Sequence, residues 1–198
     1  MQLLSGKEVS GVIRSKIKSD AEAFKKKYGK APGLAVVLIG DDPASRVYVA
    51  SKEKACEECG IISQRFDIDK KTNVEELDSL LNHLNADQDI HGVLVQIPIP
   101  KPFDYRTVLE GLDPQKDADG LTYESMGRLW SGHPRVAPCT PKGVIAILKH
   151  YQIPIAGKKA VVVGRSNIVG KPMAQLLMDE QATVTIAHSK TSNVSELT

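Results

Sequence analysis

The sequence predicts an α/β protein whose parallel sheets carry helices on both faces. Two observations predict it. Short apolar runs rich in β-branched residues, Leu34–Ile39, His91–Ile97 and Lys159–Val163, alternate with longer stretches of helical spacing. The segment AVVVGRSNIVGKPMAQLL joins such a run to a helix through a loop bounded by glycines. Strands that alternate with helices in this way build parallel sheets, because each crossover helix returns the chain to the same end of the sheet.

The elements follow in order. Ser5–Tyr28 is a helix with Val9, Val12, Ile13 and Ile17 on one side and lysines on the other, ended by Gly29 and Pro32. Leu34–Ile39 is a buried strand, and Gly40-Asp41-Asp42-Pro43 is a turn. Ala44–Cys59 is a helix closed by Gly60, and Ile61–Ile68 is a second strand. Thr72 and Glu75 fit a capping box for a helix that runs to Asn85. His91–Ile97 is a third strand, stopped by Pro98, Pro100 and Pro102, which cannot donate to a ladder. A short helix over Tyr105–Leu112 leads into the loop Asp113–Gly120. Thr140-Pro141 offers a capping hydroxyl and then a proline at the first helical position. Lys159–Val163 is a strand, Gly164–Gly170 a loop, Pro172–Asp179 a helix and Ala182–His188 the last strand. The expected organisation is an N-terminal three-layer domain, residues 1–140, and the first part of a Rossmann-type domain, residues 141–198.

Composition narrows the function. The chain has 198 residues, 41% hydrophobic and 25% charged, which are globular values. A net charge of +2 and 5% aromatics argue against a nucleic-acid binder, which needs a basic stripe or stacking rings. No apolar run reaches the roughly 18–20 residues that cross a bilayer. No secretory leader is evident, and three cysteines are too few for a disulfide framework, so the expected setting is cytoplasmic. Cys56 and Cys59 form C-x-x-C near a helix end with no second pair, so they read as structural thiols. The five histidines show no ligand spacing, and no metal is expected.

The loop Gly164–Gly170 is the most legible motif. Amide groups at the start of the helix that follows it suit a pyrophosphate, and glycines let the backbone approach. Its spacing differs from G-x-G-x-x-G, and an ordinary strand–turn–helix connection also accounts for the glycines. The next strand ends in His188, Ser189 and Lys190, with no carboxylate to hold a ribose 2′-hydroxyl. With Arg165 in the loop, these residues favour NADP over NAD, although Lys190 alone also fits a solvated surface charge.

Tyr48 and Lys52 share one helix face at i,i+4. A lysine in a partly apolar cleft can take part in proton transfer, and a tyrosine beside it can stack on a flat ligand. The same spacing is common on solvated faces. Short-chain dehydrogenases also carry a Tyr–Lys pair, but there the nucleotide loop comes first, and here it comes second. Gln96 ends an apolar strand at the turn QIPIP, where a polar side chain can line a crevice. Asp119, in KDADG, can grip an aminopyrimidine with paired hydrogen bonds, or simply form the turn.

Taken together, DDPASRVYVASKEKACEECGI, HGVLVQIPIP, DPQKDADGL, PCTPKGVI, GKKAVVVGRSNIVGKPMAQLL and ATVTIAHSKT resemble the bifunctional methylenetetrahydrofolate dehydrogenase/methenyltetrahydrofolate cyclohydrolase family, in the family's order and over nearly the whole chain. The resemblance implies NADP-dependent oxidation of 5,10-methylenetetrahydrofolate and hydrolysis of the methenyl product to 10-formyltetrahydrofolate, a one-carbon supply used in purine biosynthesis. It implies that Lys52 is the key residue in hydrolysis, that Tyr48 stacks on the folate and that Gln96 tunes Lys52. It further implies that Asp119 anchors the pterin and that Pro98 lines the substrate site. Gly164, Arg165, Ser166, Ile168 and Gly170 would line the cofactor, and Ser189 would meet its 2′-phosphate. A homodimer formed through the nucleotide domain is implied as well.

The sequence departs from the family in three ways. Ala118 and Ala187 stand where the family usually has Val and Cys, which are small changes. The family's chains are also longer, with a PGGVGP loop and a final helix beyond the segment that ends at Thr198. A shortened chain is therefore expected to leave the Lys159–Val163 strand with an open edge and to weaken cofactor binding. The alternative function is a truncated, non-catalytic folate- or nucleotide-binding fragment.

Overall fold

The run GLAVVLI becomes β1 (Gly33–Ile39), the middle strand of a parallel sheet ordered β2-β1-β3, with β2 at Ile62–Ile68 and β3 at Gly92–Val95. The structure, a computed structural model, describes residues 2–198. Strand geometry sends alternate side chains of β1 to opposite faces. Ala35, Val37 and Ile39 join Leu77, Leu81 and Leu84 of α3 (Val74–Ala86), together with Val93, Val95 and Phe103, in one apolar layer. Val36 and Leu38 join Val49 of α2 (Pro43–Glu58) and Leu94 in a second layer on the other face. The three-layer arrangement follows. A one-residue slip of β1 would exchange the two sets, so the register is tightly specified.

Helix α1 (Gly6–Tyr28) precedes the sheet, and α4 (Tyr105–Glu110) follows β3. β3 is shorter than the expected His91–Ile97. Even so, the flanking amides are bonded: His91 N–H donates to Gly33 O at 2.9 Å, and Gln96 N–H donates to Val37 O at 2.8 Å. The cap of α3 is Asn73, whose Oδ1 accepts the Glu76 amide at 2.8 Å, rather than the expected Thr72. The asparagine amide oxygen reaches the third helical N–H, so the cap moves one residue along the chain.

The second unit holds α5 (Tyr123–Trp130), α6 (Cys139–His150), β4 (Lys159–Val163), α7 (Gly170–Asp179) and β5 (Thr183–Ala187). β4 pairs with β5 in parallel, and Ile145, Met173 and Leu177 cover Ala160, Val162 and Val184 on one face. Val163 is 67% exposed at the end of β4, which has a single partner strand among the described residues. Helices α6 and α7 start at Cys139 and Gly170, earlier than the expected Thr140-Pro141 and Pro172 starts. In each helix the proline lies within the first turn, where amides have no intrahelical acceptor, so its missing N–H removes no helix bond. Helix α5 was not expected from sequence. Only Ser125 and Leu129 are buried along it, which leaves no apolar period to read, although Thr122 caps it by accepting the Ser125 amide at 3.2 Å.

The compact units are Ser10–Ala118 and the segments before Ser10 and after Ala118. The division thus falls ahead of residue 140. Helix α5 touches α7, and Gly120 lies against the backbone of Val136. Residues before Ser10 are tied to the end of α6: Ser5 N–H donates to the Tyr151 hydroxyl, which donates to Glu8 Oε2, both at 2.9 Å. Among the described residues no helix is long and apolar enough to cross a membrane.

Candidate active site

The N-terminus of α2 is fixed by Asp42, whose Oδ2 accepts both the amide and the hydroxyl of Ser45 at 2.8 Å. Pro43 supplies a preset φ at the first helical position. Val49 turns one face of α2 into the core and leaves Tyr48 64% exposed, with Lys52 half-buried one turn further along. Lys52 Nζ donates to Gln96 Oε1 at 2.9 Å. Gln96 is itself buried, and its Nε2 donates to Ile97 O at 2.6 Å. With the amide nitrogen committed to a backbone carbonyl, the amide oxygen can only face the ammonium. The lysine is thereby held by a side chain anchored twice to the backbone, through Nε2 and through its own N–H on Val37 O.

Gln96→Ala removes that anchor while leaving the Lys52 side chain itself unaltered. For the hydrolysis that the resemblance implies, the rate on methenyltetrahydrofolate should fall by about tenfold or more, since a group that loses its orienting partner loses its alignment. Stopped-flow decay of the methenyl absorbance measures this, and an unchanged rate would remove Gln96 from the site.

Pro98 is exposed two residues after Gln96, and an open depression of about 510 Å³ begins at Ile97 and Pro98 and reaches Asp104 and Tyr105. Sequence reasoning passed over Ser45, although its signal was readable as a polar residue three positions after the capping Asp42. Accepting the Ser45 hydroxyl, and then its amide, holds the Asp42 carboxyl below its ordinary value near 3.8. A carboxylate with a depressed folded pKa stabilises the protein above its unfolded pKa and loses that contribution as pH falls through the folded value. The melting temperatures of the parent and of Asp42→Ala should therefore differ by a constant amount above about pH 5, and the gap should narrow as pH falls below the ordinary carboxylate range. A gap independent of pH would show that the carboxylate charge is not involved.

Cys56 and Cys59 are buried at the end of α2 and form no disulfide, and the Cys59 thiol donates to Arg14 O at 3.8 Å. Burial pushes the Cys56 thiol up, and the neighbouring Cys59 adds to the effect. A protonated, enclosed thiol is a poor nucleophile, in keeping with a structural role.

Asp119 lies in the second unit, beside the Cys139 thiol, which donates to its Oδ1 at 3.7 Å. The contact joins the start of α6 to the loop that carries Asp119. No local pattern announced it, because the two residues are 20 apart in sequence.

The nucleotide loop leaves β4 at Gly164, whose φ of 140° suits glycine alone, and whose N–H donates to Ala187 O at 2.8 Å. Gly170 opens α7, and a Cβ there would collide with the Gly164 carbonyl. The Ser166 hydroxyl accepts the amides of Val169 at 3.1 Å and of Gly170 at 3.2 Å, which leaves its own proton for an acceptor. Arg165, Ser166 and Ile168 are exposed along the loop, and Ser189 and Lys190 are exposed past the end of β5. Amides and a hydroxyl at a helix start, next to the carboxyl ends of parallel strands, are the donor set a pyrophosphate requires. The residues present fit a dinucleotide.

Fold and site thus define an α/β protein of the dinucleotide-dependent class, with a lysine–glutamine pair in its first unit. The tetrahydrofolate dehydrogenase/cyclohydrolase catalytic-domain model matches residues 4–119, and the NAD(P)-binding-domain model of the same family matches residues 138–198. The chain belongs to the tetrahydrofolate dehydrogenase/cyclohydrolase family. It is 54% identical over 196 residues to the bifunctional protein FolD of Bdellovibrio bacteriovorus, a match spanning 99% of this chain and 68% of that protein. It is 50% identical over 200 residues to the FolD of Maridesulfovibrio salexigens, a match spanning 99% of this chain and 70% of that one. Among solved structures, the bifunctional FolD of Campylobacter jejuni superposes with a TM-score of 0.96 at 44% identity, covering 100% of this chain and 70% of that one. The Trypanosoma brucei enzyme, complexed with NADP cofactor and inhibitor, superposes with a TM-score of 0.91 at 32% identity, covering 97% of this chain and 66% of that one.

Proposed function

We propose that this protein is a bifunctional one-carbon folate enzyme. It oxidises 5,10-methylenetetrahydrofolate to 5,10-methenyltetrahydrofolate with NADP+, and hydrolyses that cation to 10-formyltetrahydrofolate. The observation that carries the reading is the match of both family domains, in order, over nearly the whole chain. NADP+ supplies the hydride acceptor. Gly164, Arg165, Ser166, Ile168 and Gly170 hold its phosphates and ribose, and Ser189 takes its 2′-phosphate.

The remaining chemistry belongs to side chains of the first unit and to Asp119. Tyr48 offers an exposed ring to the folate, Pro98 an apolar wall, and Asp119 a carboxylate for paired hydrogen bonds to the pterin. In hydrolysis, water adds to the methenyl carbon and releases one proton. The bond from that carbon to N5 then breaks, and N5 takes the hydroxyl proton. Lys52 Nζ, oriented by Gln96, hydrogen-bonds the entering oxygen and moves its proton. We assign the folate chemistry to residues 1–140 and cofactor binding to residues 141–198. The same reading makes the enzyme a cytoplasmic homodimer that supplies one-carbon units for purine biosynthesis.

The test is a spectrophotometric assay of the purified chain with methylenetetrahydrofolate and NADP+, following NADPH and the methenyl product. Turnover through both steps is expected. Folded protein that binds the ligands and turns over neither substrate would replace this reading with that of a non-catalytic binding fragment.

A further inference from the structure

We propose that Thr191 is a positioning residue for the cofactor: it shapes the turn after β5 and so sets the preference for NADP over NAD. The inference rests on the assignment of Ser189 to the 2′-phosphate.

The turn from His188 to Thr191 is closed by its own atoms. Thr191 Oγ1 accepts the His188 amide at 2.9 Å, and the Thr191 amide donates to His188 O at 2.8 Å. The Lys190 amide donates to His188 Nδ1 at 3.2 Å. An accepting Nδ1 places the ring proton of the neutral imidazole on Nε2. The Ser189 side chain takes part in none of these three bonds, and Ser189 and Lys190 both stand exposed at the tip.

The turn begins where Gly164 N–H meets Ala187 O, so it lies at the same end of the sheet as the loop that carries Arg165. A site built for an unphosphorylated ribose places a carboxylate near this strand end. Residues 188–191 contain none and offer a hydroxyl and an ammonium instead. A phosphate dianion rewards donors that are already fixed, because each fixed donor has no ordering cost left to meet on binding.

The Thr191 hydroxyl is what fixes them. Without it the His188 amide loses its acceptor, and the tip that carries Ser189 and Lys190 loses one of its three closures. NAD has only a neutral 2′-hydroxyl to place on that tip, with no phosphate charge for the fixed donors to meet, so its binding should be far less sensitive to the change.

Titration calorimetry of the whole chain with NADP, NAD and 2′,5′-ADP tests this without reference to turnover. For Thr191→Val, which keeps shape but loses the acceptor, the NADP Kd should rise about tenfold. The Kd of 2′,5′-ADP should rise with it, and that of NAD should change by less than about twofold. Thr191→Ser should restore the parent values. Thr191→Ala carries the same expectation as Thr191→Val and serves if the valine variant does not fold by circular dichroism. Equal weakening of NADP and NAD, no change in either, or failure of serine to rescue overturns the proposal. Ser189→Ala separates the two levels. If it leaves the NADP-to-NAD ratio unchanged, the assignment of the phosphate falls, and the role of Thr191 with it. If it lowers the ratio and Thr191→Val does not, the positioning role alone falls.

Discussion

Lys52→Gln is expected to reduce hydrolysis of 5,10-methenyltetrahydrofolate by about 10²–10⁴-fold, the range in which removing a positioned proton-transfer group falls. Glutamine is close in length and remains a hydrogen-bond donor, so the loss isolates the ammonium from the side-chain volume. The parent lysine donates to Gln96 Oε1 at 2.9 Å. Hydride removal needs no proton at Nζ, so the dehydrogenase reaction should fall by a smaller factor. Paired assays of the two steps make the comparison, with kcat and KM separated. A common loss confined to KM would reassign Lys52 to substrate binding. An unchanged hydrolysis rate would remove Lys52 from the proton transfer.

Leu81→Ala is expected to destabilise the first unit by about 2–5 kcal/mol. Leu81 is fully buried, with Leu77 and Leu84 beside it on α3 and Val93 and Val95 across from it on β3. It also fills the space over Gly111, where an added Cβ would come within 3.2 Å of its Cδ1. These neighbours belong to a helix and a hydrogen-bonded strand, so the void collapses poorly and the loss should lie toward the upper end of that range. Domains are commonly stable by only about 5–15 kcal/mol, so the denaturation midpoint of this unit should drop sharply in urea. A midpoint within error of the parent would mean that the α3 layer is not the core. The second unit, whose core is Ile145, Met173 and Leu177, should unfold as before.

The strands β1 and β4 were legible because strands buried on both faces, or paired in parallel, read as unbroken β-branched runs. Helix α3 was legible from a capping-box pattern that set its cap one residue early, because Thr72 and Asn73 are both good caps and only geometry chooses between them. Helix α5 was illegible because two buried residues make no period. At the site, Lys52 and Gln96 could each be singled out, one from its helix face and the other from its place at a strand end. Their hydrogen bond joins residues 44 apart, and it needs the parallel crossover that brings α2 and the end of β3 together. The Cys139–Asp119 contact was hidden for the same reason, since its residues lie 20 apart, whereas the closures of the 188–191 turn are local and depend on the conformation the turn adopts.

β1 gives its even-numbered residues to the layer beneath the helix bearing Lys52, and its odd-numbered residues to the leucines of α3. A change such as Val37→Ile is therefore felt on the side that holds the fold's reserve of stability, and Val36→Ile on the side that aims the lysine. Substitutions one position apart along a single strand therefore press on different layers, one against the leucines and the other against the helix that carries the lysine.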